Sequence, residues 1–586
     1  MKMERVFDIL YYQKHTYAKT DCLNAKVAGS WKHYSTDDVI DISENMAMGF
    51  LEMGIAPGDK IAIISSNRPE WNFVDLGMQM IGAISVPMYP TITVEDYVYI
   101  FKHAEVKMVF VENADLLAKV KLATKENPIE HIYSFDELPN CKNWEAIEKK
   151  GAEMDKAPLV QKKETVKAED LLTIIYTSGT TGRPKGVMLT HSNIVSNSIS
   201  VAKRSPITFG ESRAVSFLPL CHIYERTGVY FYFYAGVSVY YAENMEAIGD
   251  NIREVKPHLF NTVPRLLEKI YDKIEGKGKE LDGVKRKLFF WALNLAKNYE
   301  PNKPMGFSYN LQLSIANKLI FSKWREALGG QIQAINSGAA ALQPRLARVF
   351  WAAGIKVCEG YGLTETSPVI TASIPNHAGM RIGCVGTVID GTEIKIAEDG
   401  EILCKGENVM QGYYREPEMT AEVLKDGWFH TGDIGEISEG KYLRITDRKK
   451  EMFKTSGGKY IAPQLMENKF KESSYIEQIA VVGNSRKFPS ALIVPNFEAL
   501  QGWLKEHGVT ATTPQEIVKN EKVLALFEQE VAHYNEGFGQ WEKIKKFTLL
   551  TEIWGVDTGE LTPTLKLKRR VIDSKYQDQI EEIYAN

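Results

Sequence analysis

The chain has 586 residues, 44% hydrophobic and 25% charged, with 44 Gly and 23 Pro, a profile that excludes a collagen-like, low-complexity or disordered protein. At roughly 150 residues per domain there is room for three or four domain-sized units. The 71 Lys and Arg against 75 Asp and Glu leave a formal charge of −4, so composition gives no electrostatic footprint of a nucleic-acid binder.

In chain order, the opening MKMERVFDILYYQKH has no unbroken apolar segment and no small-residue cleavage site, so it does not read as a signal peptide. Helical apolar spacing over 37–53 is followed by the turn Pro57-Gly58-Asp59 and a buried strand over 60–65. A helix over 71–81 and strands over 83–87 and 108–111 continue an alternation that predicts a parallel sheet with helices on its faces. The apolar stretch 229–242 is too short and too rich in Tyr to span a membrane. It reads either as core or as the lining of an alkyl-chain tunnel. Residues 277–301 and beyond are helical and charged, an insertion without an assigned role. The βα grammar then returns with a strand over 331–336, a helix over 346–353 ended by Gly354, and a strand over 355–359. YGLTET follows at that strand's carboxyl end, where open α/β sheets bind ligands. From Gly383 to Ile445 short runs with Gly punctuation predict a small antiparallel barrel or meander. A shorter α+β segment begins near 448–450. The six scattered cysteines show no metal-ligand spacing and read as reduced thiols of a cytoplasmic protein, soluble or peripheral to a membrane.

The most informative segment is IIYTSGTTGRPKGVMLTH, residues 174–191. Thr177, Ser178, Gly179, Thr180, Thr181 and Gly182 lead to Lys185. The glycines let backbone approach a ligand, while the hydroxyls and the lysine offer donors to phosphate oxygens. It is not a Walker A loop, because Lys185 follows Gly182 by three and is followed by Gly186 rather than Ser or Thr. A P-loop ATPase is therefore disfavoured.

This loop resembles the signature of the adenylate-forming enzymes: acyl-CoA synthetases, peptide-synthetase adenylation domains and luciferases. YGLTETSP (361–368), WFHTGD (428–433), DRKK (447–450) and LTPTLKLKRR (561–570) follow in that family's order. The resemblance implies an α/β fold with a large N-terminal domain of parallel α/β sheets, residues 1–447, including a small β-barrel over 383–446. A smaller, mobile α+β C-terminal domain would occupy 448–586. It further implies that Thr177–Lys185 hold the leaving phosphates of ATP. Glu365 would ligate Mg²⁺ and Thr364 would contact the α-phosphate. Tyr361 would pack on adenine, with Gly338 and Ala339 lining the other side of that pocket. Asp433 would accept from the ribose hydroxyls with Arg448 nearby, a role suited to an ionised, acceptor-only carboxylate. Lys566 would be the catalytic lysine. The Gly that usually precedes it is Leu565 here, which leaves Lys568 as a rival register. Lys450 would be the hinge between half-reactions, and Gly457 would leave room for the pantetheine arm of CoA. His222, in LPLCHIYER, would shape the acyl pocket.

Within that superfamily HIYER, DRKKEMFKTSGGKYIAP and LTPTLKLKR look most like long-chain fatty acyl-CoA synthetases. The implied substrates are a fatty acid, ATP and CoA, with no nucleic acid. Peripheral membrane contact and a homodimer are compatible with the same resemblance. Two rivals are a fatty acyl-AMP ligase that loads a carrier protein and a non-catalytic nucleotide- or fatty-acid-binding homologue.

Overall fold

Ser35 opens the helix Thr36–Glu52 with a capping box, its side chain accepting from Asp38 N while Asp38 returns a bond to the Ser35 backbone. The buried strand Lys60–Ile64 follows, and Pro69 then starts the helix Pro69–Met80 at a position where its missing N–H costs nothing. These belong to a computed structural model that describes residues 3–177, 183–562 and 566–585. The chain divides into two units. One comprises Met1–Lys395, Leu403–His430 and Ser438–Leu443; the other comprises Ile396–Ile402, Thr431–Ile437 and Arg444–Asn586.

The first unit is built on two large sheets. An eight-stranded sheet has its central strands Ile84–Met88, Lys60–Ile64, Val106–Val111 and His131–Ser134 in parallel. Their near-continuous apolar burial is what a sheet covered on both faces requires. A nine-stranded sheet runs parallel through Ser238–Tyr241, Arg213–Ser216, Leu259–Thr262, Ala334–Ser337 and Val357–Gly362.

Several expected boundaries shift. The strand expected over 331–336 is Ala334–Ser337. The one expected over 355–359 is Val357–Gly362, so Tyr361 and Gly362 still lie in the sheet and the loop begins at Leu363. The expected barrel over 383–446 is not self-contained. Thr387–Val388 joins the nine-stranded sheet and Gly412–Tyr413 the eight-stranded one, while the other strands of that stretch form a five-stranded sheet. Residues 229–241 resolve into the end of the helix Ile223–Tyr234 and the strand Ser238–Tyr241. Tyr230, Tyr232 and Tyr241 there are among the largest fully buried side chains, which makes the segment core.

The insertion is a set of helices, Pro264–Lys279, Gly283–Lys297 and Phe307–Ala316. The last continues through a π-helical turn, Asn317–Phe321, into Ser322–Ala327. Phe289, Leu293, Ala316, Phe321 and Trp324 join these helices to the main core.

In the second unit Ile476–Val482, Ser490–Pro495 and Lys546–Leu549 form a three-stranded sheet. The side chains alternate between two cores, with Ile479, Val481, Ala491 and Ile493 on one face and Ala480, Val482, Leu492 and Val494 on the other. Helices cover both faces, giving the α+β texture expected of the C-terminal segment. No helix among the described residues is long and apolar enough to cross a membrane.

Candidate active site

The phosphate-loop motif lies between two antiparallel strands. Leu171–Thr177 and Lys185–Thr190 pair so that Thr177 stands opposite Lys185. A Walker loop leads from a strand into a helix, whereas this one closes a hairpin and Lys185 is fixed by strand pairing. Ser178, Gly179, Thr180, Thr181 and Gly182 lie outside the described residues. The buried Thr177 hydroxyl has no hydrogen-bond partner among the described residues, an orphan that a phosphate oxygen would satisfy.

Glu365 sits in a short 3-10 turn, Thr364–Thr366, directly after Val357–Gly362. The neighbouring Thr366 fastens the loop: Leu363 N donates to its hydroxyl at 2.9 Å, and that hydroxyl donates to Pro368 O at 2.6 Å. Gly362 is required here, because a Cβ would stand 1.7 Å from Pro368 O. Met410 N, donating to Glu365 O at 2.9 Å, ties the turn to the segment that leads into Gly412–Tyr413.

That two-residue strand pairs with Val187 and Met188, beside Lys185. It places Tyr413 between the two predicted charges. Lys185 Nζ donates to the Tyr413 hydroxyl at 2.6 Å, the hydroxyl donates to Glu365 Oε1 at 2.9 Å, and Lys185 Nζ lies 3.5 Å from the same oxygen. Burial and the adjacent Glu365 carboxylate hold the Tyr413 phenol far above its ordinary range, so it remains a donor. The Lys185 side chain keeps 24% of its surface exposed and Glu365 10%. The structure thus unites Lys185 and Glu365 through a tyrosine that the sequence reading missed. Its only local signal was a Gly-Tyr pair, and its importance comes from a strand pairing more than 220 residues away in sequence.

Tyr361 is buried on its strand. Gly338 follows the adjacent strand, its α-carbon facing the Tyr224 ring, which a Cβ would meet at 3.1 Å. Ala339 adopts a left-handed φ of 67°. His222 caps the helix Ile223–Tyr234, its Nδ1 accepting from Tyr224 N at 3.1 Å. Tyr224 in turn donates to Asn336 O at 3.0 Å. The expectation that His222 shapes a pocket therefore meets a residue employed at one ring nitrogen as a helix cap.

Two buried carboxylates had no assigned role. Glu359 on Val357–Gly362 accepts from Leu342 N at 3.3 Å through Oε2, while Oε1 is without a partner among the described residues. Burial lifts its carboxyl to about 8. Burial likewise lifts Glu225, which accepts from Asn261, to about 7.

In the second unit Arg448 Nε donates to Asp433 Oδ1 at 3.0 Å, and Asp433 is buried. The next residue, Lys449, is held by Asp399 at 2.6 Å and Glu401 at 2.9 Å. Lys450 is an exposed turn residue, with Glu451 N and Met452 N both bonded to Arg448 O at 2.9 and 3.0 Å. Gly457 is exposed in a turn before Gly458, whose φ is 77°. Lys566 is exposed at the base of a hairpin closed by the Leu561–Leu567 bridge, its backbone bonded in both directions to Thr562. Residues 563–565 lie outside the described residues. Nearby Arg569 is fixed instead by Glu467 at 2.7 Å and Glu451 at 3.1 Å.

The family described as "AMP-binding enzyme" matches residues 13–414, and "AMP-binding enzyme C-terminal domain" matches residues 451–586. The chain belongs to the AMP-binding enzyme family. Among relatives, Long-chain-fatty-acid–CoA ligase FadD15 of Mycobacterium bovis is 33% identical over 95% of this chain and 93% of its own length. Long-chain-fatty-acid–CoA ligase 1 of Homo sapiens is 32% identical over 95% of this chain and 82% of its own. Among solved structures, the A domain of carboxylic acid reductase from Segniliparus rugosus, in complex with AMP and a co-purified carboxylic acid, superposes with a TM-score of 0.77. It is 18% identical and covers 99% of this chain and 94% of its own. The adenylate-forming fold expected from the motifs is therefore the fold of this protein.

Proposed function

We propose that the protein is a long-chain fatty acid–CoA ligase. It joins a fatty acid carboxylate to the α-phosphate of ATP, releasing pyrophosphate, and then passes the acyl group from the acyl-adenylate to the thiol of CoA, releasing AMP. The observation that carries this reading is the Lys185–Tyr413–Glu365 cluster beside the hairpin loop. It stands in a chain whose relatives named for this activity span nearly its whole length.

A carboxylate is a poor electrophile, and its activation requires charge to be stabilised around the phosphates as pyrophosphate leaves. Preorganised cations and N–H donors supply that. Lys185 and the hydroxyls of Thr177, Ser178, Thr180 and Thr181 serve the leaving phosphates, with Gly179 and Gly182 allowing the backbone to approach. Glu365 suits Mg²⁺ with few protein ligands. No group of three metal-binding side chains occurs among the described residues, and Mg²⁺ bound with a nucleotide commonly takes one or two carboxylates plus phosphates and water. When bound, the ion would neutralise phosphate charge. Until then Lys185 and Tyr413 keep Glu365 oriented. Thr364, partly exposed beside it, serves the α-phosphate.

Tyr361, Gly338 and Ala339 form the adenine side of the site. Asp433, oriented by Arg448, accepts from the ribose hydroxyls. Lys566 draws charge from the carboxylate and α-phosphate oxygens as the adenylate forms, Lys450 is the hinge, and Gly457 admits pantetheine. The test is mass-spectrometric product analysis with ATP, Mg²⁺ and a series of fatty acids, with and without CoA. AMP and acyl-CoA appearing together, greatest with long chains, is the expected result. Acyl-AMP that CoA does not consume would instead mark a carrier-protein ligase, and no product on any acid would mark a binding protein.

A further inference from the structure

Lys450 stands between two anchored neighbours, and all the residues concerned lie in the second unit. On its N-terminal side Lys449 is fixed to the five-stranded sheet by backbone and side chain together. Its N–H donates to Gly432 O at 2.8 Å, and its Nζ lies 2.6 Å from Asp399 and 2.9 Å from Glu401. Buried Glu401 also accepts from Gly432 N at 2.9 Å, which closes a ring through Lys449, Gly432 and Glu401. Arg448, one residue earlier, is held by Asp433.

On the C-terminal side Glu451 accepts from Arg569 Nε at 3.1 Å. Arg569 is itself forked onto buried Glu467 by bonds of 2.9 and 2.7 Å. It opens the helix Arg569–Lys575, three residues after Lys566, and Lys568 N between them donates to Glu560 O at 2.7 Å. An isolated surface ion pair restrains little. A bidentate guanidinium–carboxylate pair fixes orientation as well as distance, and each anchor here ends on a buried carboxylate. With both neighbours held, a rotation of the chain has one residue to pass through. It then reaches the Lys566 segment by way of Glu451 and Arg569.

We propose that Lys449 and Glu451 are positioning residues that confine the rotation between the half-reactions to Lys450 and pass it, through Arg569, to the segment carrying Lys566. The inference rests on the reading of Lys450 as the hinge. Its test starts from Lys450→Pro, which locks φ at that residue. Adenylation is followed by ATP–pyrophosphate exchange, and transfer by single-turnover acyl-CoA formation from preformed acyl-adenylate. Lys450→Pro keeps one half-reaction and loses the other. Adding Lys449→Ala and Glu451→Gln lets neighbouring residues absorb the rotation, and the lost half-reaction recovers about tenfold, a coupling within the usual range for contacting residues. Adding Lys449→Arg instead, which keeps the charge, leaves the block in place. A block equally tight with both anchors removed overturns the proposal. Wild-type rates for both half-reactions in Lys450→Pro would overturn the hinge reading itself, and the proposal with it. Hydrogen exchange on the chain with Lys450 intact reads the same restraint without the proline. The amides of Glu451 and Met452 exchange about tenfold faster in Lys449→Ala, Glu451→Gln at an unchanged thermal midpoint, and unchanged exchange also overturns the proposal.

Discussion

Two clusters in the first unit use the same three chemical groups: a cation, a carboxylate and a tyrosine hydroxyl. In one, Arg226 pairs with Asp75 at 2.5 Å, bonds Tyr230 at 2.9 Å and Thr173 at 2.8 Å, and Tyr230 donates back to Asp75. Gln79 adds donors to Asp75 and Tyr230. Both charged side chains are at most 1% exposed. In the other, Lys185, Tyr413 and Glu365 meet with a longer ion-pair distance and with surface to spare. The buried triad joins the helices Pro69–Met80 and Ile223–Tyr234 to the strand Leu171–Thr177, with its polar atoms spent on one another. The open one uses a single-point lysine where the buried one uses a guanidinium fork, and a lysine reaches several successive partners more readily than a fork committed to fixed geometry. Equal chemistry becomes scaffold or site according to how completely it is satisfied and how far water reaches it.

The strongest way to break this contrast is Asp75→Ala. It leaves Arg226 buried without its carboxylate, and stability falls by about 3–5 kcal/mol, read as a lower urea midpoint. An unchanged midpoint would put the buried triad in the same class as the open one. Glu365→Gln sharpens the comparison from the other side. Adenylation measured by ATP–pyrophosphate exchange drops roughly 10²–10³-fold, with the urea midpoint within error of wild type. Tyr413→Phe removes one hydroxyl from between two charges that still face each other. Its cost is about tenfold in the same exchange assay, the scale of one hydrogen bond to a charged group, and a full loss would mean that the phenol reacts rather than positions.

The smallest effect is a slope with pH. Burial lifts the Glu359 carboxyl to about 8 from an ordinary 4.5. The folded chain therefore keeps a proton that the unfolded chain releases above its ordinary value. Stability is full below that value, falls as pH rises toward 8 and levels beyond. Glu359→Gln, neutral throughout, shows a shallower decline between about pH 5 and pH 8, on the order of 1 kcal/mol less per pH unit.

What the sequence made legible follows from the range of the forces involved. Apolar runs and Gly or Pro punctuation are local, and they marked Lys60–Ile64, Val106–Val111 and the helix ended by Gly354, whose φ is 75°. The motifs marked Lys185 and Glu365 because their chemistry is packed into a few adjacent residues. Tyr413 and the Asp75–Arg226 pair escaped for the opposite reason. Lys185 meets Tyr413 and Arg226 meets Asp75 through tertiary packing across more than 150 residues, and a charged residue in an apolar helix gives no local sign that it will be buried. The stretch 383–446 was legible as antiparallel strands, but the departure of Gly412–Tyr413 to the eight-stranded sheet was not, since its partners Val187 and Met188 lie more than 220 residues away.

The π turn at Asn317–Phe321 has a consequence for the evolvability of the helix it interrupts. Ala316 and Phe321 are five residues apart and both fully buried. At 3.6 residues per turn that separation would point them in different directions, whereas i→i+5 bonding aligns them. The helix thus holds one residue more than its inward anchors require, and the surplus falls where Lys318 and Leu319 meet solvent. Deleting a single residue there would restore a regular helix with both anchors still facing inward, so the length of this segment could change in one step without unpicking the core.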